Sequence, residues 1–206
     1  MKRTKEDARL TREHLLDSAL ELMIKRGYSN VTLNDLAEFA GLTRGAFYWH
    51  FKSKEDILHA IINKEAEFLH DLMAELILNK ELPSDKHLIF VIQGIIGNYF
   101  DNTRFRRFVE LTWFRMESAN FSNVINPKTI ANEFFIEEIK KIIQKGMKDG
   151  SFHKEISPLE WSLQIVCVIN GIYRLYFVTP DYMTRGMALR IVNNIIKPLL
   201  NSPDNV

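Results

Sequence analysis

The chain has 206 residues, a formal net charge of +1, 46% hydrophobic residues and 26% charged ones. That length fits one compact unit or two small subdomains sharing a long helix, and the near-zero charge argues against a protein that coats nucleic acid without selection. The single cysteine excludes an intrachain disulfide framework.

No apolar segment follows the basic start, and the longest apolar run, Leu163 to Val178, is short for a membrane span and contains Gln164, Asn170 and Arg174. The expectation is a cytoplasmic protein with no membrane association, and Cys167 reads as a buried small hydrophobe. The six histidines show no HxxxH or HExxH spacing, so neither a metal nor a cofactor is expected.

In chain order, Lys2, Arg3, Lys5, Arg9 and Arg12 come first. They form an arm that follows a phosphate backbone or enters a minor groove in one reading, and a solvated terminus in the other. Helical spacing runs from about Lys5 to Arg26 with a stripe of Leu16, Ala19, Leu20 and Met23, and Gly27 ends it. A short helix starts at Thr32, whose hydroxyl accepts from an exposed amide while Asp35 completes a capping box. Gly41 suits a left-handed helix end, and Thr43 is the N-cap of the next helix. Two short helices about a glycine-containing turn are the layout of a helix-turn-helix.

On the second of these, a rotation of about 100° per residue puts Ala46, Phe47 and Phe51 on one side and Arg44, Gly45, Tyr48 and Trp49 on the other. The first side packs, so the second is displayed. Arg44 can fork onto guanine O6 and N7, Gly45 admits DNA close to the backbone, and Tyr48 can donate to phosphate. Ser53 caps the following helix with Asp56 in the box position. Lys54 thus sits at a helix N-terminus, where a phosphate would offset its conflict with the macrodipole. The rival reading of TRGAFYWHF is a short aromatic core helix.

A helix from Lys54 to about Asn79 carries Leu58, Ile61, Ile62, Phe68, Leu69, Leu72, Leu76 and Ile77, so it can link a headpiece (1–53, DNA-binding) to a body (54–206, ligand-binding and dimerisation). Pro83 and Ser84 break it. Further helices are predicted at about 86–101, 104–118, 128–149, 158–178 and 184–200, making the chain all-α: a three-helix headpiece and a helical bundle. Apolar residues cover nearly the whole circumference of the helix at 158–178. Such a helix must be buried all round, beneath a second copy in one reading, which is the natural lid, or inside a monomer in the other. Ile165, Ile169, Ile172, Tyr176, Ile191, Ile195 and Leu199 are the expected homodimer interface.

The body is rich in aromatics with polar groups set among them, as ligand cavities in bundles are. Gln93, Phe108, Glu110, Trp113, Phe134, Asn170 and Tyr173 are the candidate pocket residues. Glu110 keeps two readings: a surface pair with Arg106 or Arg107, or a pocket carboxylate facing a lipophilic cation, on which Trp113 could stack.

The stretch GYSNVTLNDLAEFAGLTRGAFYWHFKSKEDIL resembles the TetR family of bacterial transcriptional regulators, and TRGAFYWHFKSKEDIL is especially similar to the branch of AcrR-like efflux-pump repressors. Over the body the likeness rests on helix pattern and weak stretches such as RRFVELTWFRME. The resemblance implies a homodimeric repressor on a palindromic double-stranded operator, released when a small lipophilic effector binds the C-terminal helices, with a multidrug efflux pump as one controlled target. By position, Thr32, Thr43, Arg44, Tyr48, Trp49, His50 and Lys54 match family positions that contact DNA, mostly at phosphate. No nucleophile with an oriented base, phosphate loop or metal set is present, so an enzyme is not expected. The alternative is a DNA-binding structural or cell-division protein of the same fold without ligand control.

Overall fold

The computed structural model describes residues 5–78, 82–115 and 127–200. Among these the architecture is all-α, as expected: α1 (Lys5–Arg26), α2 (Leu33–Phe39), α3 (Arg44–His50), α4 (Lys54–Leu78), α5 (Ser84–Asp101), α6 (Thr103–Glu110), α7 (Pro127–Asp149), α8 (Pro158–Val178) and α9 (Arg185–Ile196). A single antiparallel bridge pairs Phe152 with Leu200.

Local chemistry sets the ends. Ser157 accepts from the Glu160 amide at 3.3 Å with Pro158 as the first residue of α8, and Thr184 accepts from Met187 N at 3.2 Å to start α9. The helix predicted over 184–200 ends earlier, at Ile196, and continues as a 3-10 turn, Lys197–Leu199. Pro198 lacks the N–H that another α-turn would need. The helix predicted over 104–118 is α-helical only to Glu110 and then widens into a π turn, Leu111–Arg115. There Thr112 Oγ1 donates back to Phe108 O at 2.9 Å, a bond that loosens the regular ladder. Residues 116–118 of that prediction lie outside the described residues.

Packing divides the chain into two compact units, one of Met1–Phe68 with Arg107–Pro127, the other of Leu69–Arg106 with Lys128–Val206. The boundary read from sequence at 53/54 is therefore where α4 begins, not where packing changes. In the first unit Leu16, Ala19, Met23, Leu36, Phe47 and Phe51 share a core with Ile57, Leu58 and Ile61 of α4 and with Phe108 and Leu111. One long and two short helices bury too little apolar surface alone, and these later residues supply the missing cover.

The second unit is centred on α5, α8 and α9. Tyr99 and Tyr173 stack at 4.0 Å and 21°. Tyr99 donates to Tyr173 O at 3.2 Å, and Tyr173 donates to Ile95 O at 3.4 Å. Both rings are buried with their hydroxyls satisfied, and burial raises the Tyr173 phenol above the usual range.

Three expectations for α8 change. It has 21 residues, long and apolar enough by length and composition to cross a membrane, so shortness is no obstacle; its Ile165, Ile169 and Ile172 face is nonetheless committed to this unit's core, and Gln164 and Arg174 lie on the exposed side. Cys167 is exposed, not buried. The helix is also not buried all round. Leu159, Leu163, Leu175 and Val178 are exposed, and Leu159, Leu163, Cys167, Gly171 and Leu175 form a stripe at four-residue spacing.

Candidate nucleic-acid interface

The reading element is built from its turn outward. The Thr32 hydroxyl accepts from Asp35 N at 3.2 Å, and Asp35 Oδ2 accepts from Thr32 N at 2.8 Å, a full capping box. The Thr32 hydroxyl and amide, with Arg26 at 3.3 Å, hold the Asp35 carboxyl below its usual range. At the other end of α2, Leu42 N donates to Ala37 O and Gly41 N to Glu38 O, both at 2.9 Å. This paired closure needs a left-handed residue, and Gly41 supplies it at φ 66°. Thr43 then accepts from Ala46 N at 3.2 Å, so α3 leaves the turn already capped.

The two sides of α3 separate as their spacing requires. Phe47 and Phe51 are each 1% exposed, whereas Tyr48 is 50% and Trp49 71% exposed. Arg44 and Gly45 lie on that open side, and among the described residues Arg44 makes no ion pair. The aromatic-core reading of this helix therefore holds for two rings and fails for the other two. The exposed side carries a guanidinium, a phenol and an indole next to a glycine with nothing within 4 Å of where a Cβ would stand. His50 is half-buried, edge-on to Trp49 at 4.6 Å, so it braces the indole.

Sequence reasoning missed the role of Tyr28. Lys54 reaches back from α4 to donate to Tyr28 O at 2.9 Å, with its ammonium 4.3 Å above the Tyr28 ring. The same tyrosine donates its hydroxyl to Glu55 Oε1 at 3.2 Å. Lys54, expected to meet a phosphate, is thus already engaged inside the unit. Burial first, then the Glu55 charge, pushes the Tyr28 phenol up to about 12; the Glu55 amide, Ser53 and Tyr28 itself hold the Glu55 carboxyl down. Ser53 accepts from Asp56 N at 3.1 Å, the cap the sequence predicted.

The other candidate sites are dispersed. Among the pocket residues, Phe108 is 6% exposed in the core of the first unit, which also holds the half-buried Glu110 and Trp113. In the second unit Tyr173 is core, Phe134 is 40% exposed, Asn170 donates to Asn132 at 3.3 Å, and Gln93 lines a polar cleft. No single cavity gathers the set among the described residues. Among the expected interface residues, Ile165, Ile169, Ile172 and Leu199 are buried inside the chain's own unit, Tyr176 and Ile195 are half-buried, and Ile191 is exposed.

Residues 15–61 match the family model described as bacterial regulatory proteins, tetR family. The chain is 25% identical to the HTH-type transcriptional regulator TtgR of Pseudomonas putida over 88% of this chain and 87% of that one. It is 34% identical to the HTH-type transcriptional regulator AcrR of Shigella flexneri over 56% and 54%. Its fold matches that of NalD, the secondary repressor of the MexAB-OprM multidrug efflux pump in Pseudomonas aeruginosa, with a TM-score of 0.78 and 21% identity over 95% of this chain and 100% of that one. The capped turn and displayed α3 face agree with the family match over the same residues: residues 15–61 are a DNA-binding domain of the tetR family of bacterial regulatory proteins, on a chain that shares its overall fold with solved regulators.

Proposed function

We propose that the protein is a homodimeric repressor that leaves a palindromic operator when a small lipophilic molecule binds its C-terminal helices. The observation that carries the reading is the open side of α3, where Arg44, Gly45, Tyr48 and Trp49 stand clear of the core that Phe47 anchors. Arg44 reads base edges, and Tyr48, Trp49, Thr32 and Thr43 meet the backbone. Two such helices enter successive major grooves about 34–36 Å apart.

The apolar stripe from Leu159 to Leu175 on α8, continued by Met187 and Ile191 of α9, supports a second copy as the cover. Control of a multidrug efflux pump is proposed by kinship with regulators named for that role. An effector that lowers operator affinity a hundredfold needs about 2.7 kcal/mol of difference between its affinities for the two states.

The test is fluorescence anisotropy of the full chain on its own upstream intergenic DNA, titrated with lipophilic cations. Saturable binding that Arg44→Ala removes and one of the compounds reverses is the expected result. Operator affinity that saturating compound leaves unchanged would reject induction by that compound.

A further inference from the structure

We propose a second, polar ligand site in the body: an open cleft at the junction of α5, α6 and α9 that takes a small water-soluble carboxylate or phosphate anion. It is a different chemistry from the lipophilic effector. The cleft has a volume of about 660 Å³ and lies wholly within the second unit, in the size range of small-molecule sites.

Two guanidinium groups, Arg104 and Arg185, and one carboxylate, Asp101, line it. Thr103 begins α6 and Arg185 begins α9, so the dipoles of two helix N-termini face the cleft against the one C-terminus of α5, with Asn102 Oδ1 and Thr184 Oγ1 already capping the amides of Arg104, Phe105 and Met187. The carbonyls of that C-terminus are already answered: Arg106 donates to Phe100 O at 2.8 Å and Tyr99 O at 3.3 Å.

The recognition group is held in place before any ligand arrives. Arg185 Nε donates to Asp101 Oδ2 at 3.0 Å, which fixes the guanidinium plane; none of its described bonds uses Nη1 or Nη2. Gly97, in the interior of α5, leaves room for that plane: a Cβ there would stand 3.2 Å from Arg185 Nη2, and the guanidinium would have to give by a few tenths of an ångström. Beside it, Asn102 uses its Oδ1 on Arg104 N and Phe105 N, leaving its Nδ2 as a donor. A planar two-oxygen anion fits a forked guanidinium flanked by an amide donor.

The experiment is isothermal titration calorimetry of the full-length protein at low salt with citrate in one arm and inorganic phosphate in the other. Saturable binding of either supports the site, and which arm responds assigns carboxylate or phosphoryl chemistry. Arg185→Gln and Arg104→Gln should each weaken that binding about tenfold or more, while Lys140→Gln, which removes the same charge from α7, leaves it unchanged. Arg104 is exposed, so its variant keeps the fold and serves if Arg185→Gln does not. Absence of saturable binding in both arms, or equal binding by wild type and the two arginine variants, would overturn the proposal.

Discussion

Phe47 and Tyr48 are neighbours on α3 with opposite fates, so replacing each in turn separates stability from recognition. Phe47 is 1% exposed and contacts Phe51 at 6.1 Å and Tyr48 at 6.3 Å between ring centroids. Truncating it removes the buried ring and leaves a cavity whose walls belong to α1, α2 and α4, which cannot all collapse inward. Phe47→Ala should cost about 3–5 kcal/mol, a large share of the roughly 5–15 kcal/mol that holds a domain together. Tyr48 is 50% exposed. Its truncation should change stability by less than about 1 kcal/mol yet weaken operator binding about tenfold to a hundredfold through a lost charge-assisted phosphate contact. Urea unfolding followed by circular dichroism, with DNA anisotropy on the same samples, reads both quantities. Equal destabilisation by the two variants, or full operator affinity in Tyr48→Ala, would refute the assignment of the two faces.

Lys54→Met should lower stability by about 1 kcal/mol because Tyr28 O keeps only the Val31 amide as donor and the Tyr28 ring loses its ammonium, with the salt dependence of DNA binding unchanged. A salt slope smaller by about one at unchanged stability would instead make Lys54 a phosphate contact. The Tyr28 phenol stands above its unfolded value near 10, so its contribution is full below that pH and is lost as pH rises through about 12; alkaline unfolding should show a loss over that window that Tyr28→Phe abolishes. On α8, Leu163→Asp should give a folded monomer by analytical ultracentrifugation, since Leu163 is exposed, whereas Ile165→Asp should unfold the chain, since Ile165 is 1% exposed. A dimeric Leu163→Asp would move the subunit face elsewhere.

The headpiece was legible in sequence because its chemistry is local. Thr32, Asp35, Gly41, Thr43 and Ser53 each act within five residues, and a seven-residue helix with aromatics on both sides still shows which two rings pack. The body was less legible for the converse reason. On α8 both faces are apolar, so periodicity could not say which belongs to the core, and the interface reading chose Ile165, Ile169 and Ile172, the buried face, over Leu159, Leu163 and Leu175. The contact of Lys54 with the Tyr28 carbonyl left no local trace because the two lie 26 positions apart. Phe108 and Glu110 fell on a helix expected to line a pocket, but Phe108 completes the core of the first unit. The Asp101 and Arg185 pair is separated by 84 positions and leaves no local trace at all.

Hydroxyl-radical footprinting of the full-length protein on the DNA upstream of its own coding region tests the central claim most directly. The account predicts two protected patches on one face of the duplex, about one helical turn apart, both lost in Arg44→Ala. A single patch, or protection that Arg44→Ala leaves intact, would contradict a dimer reading DNA through the exposed side of α3.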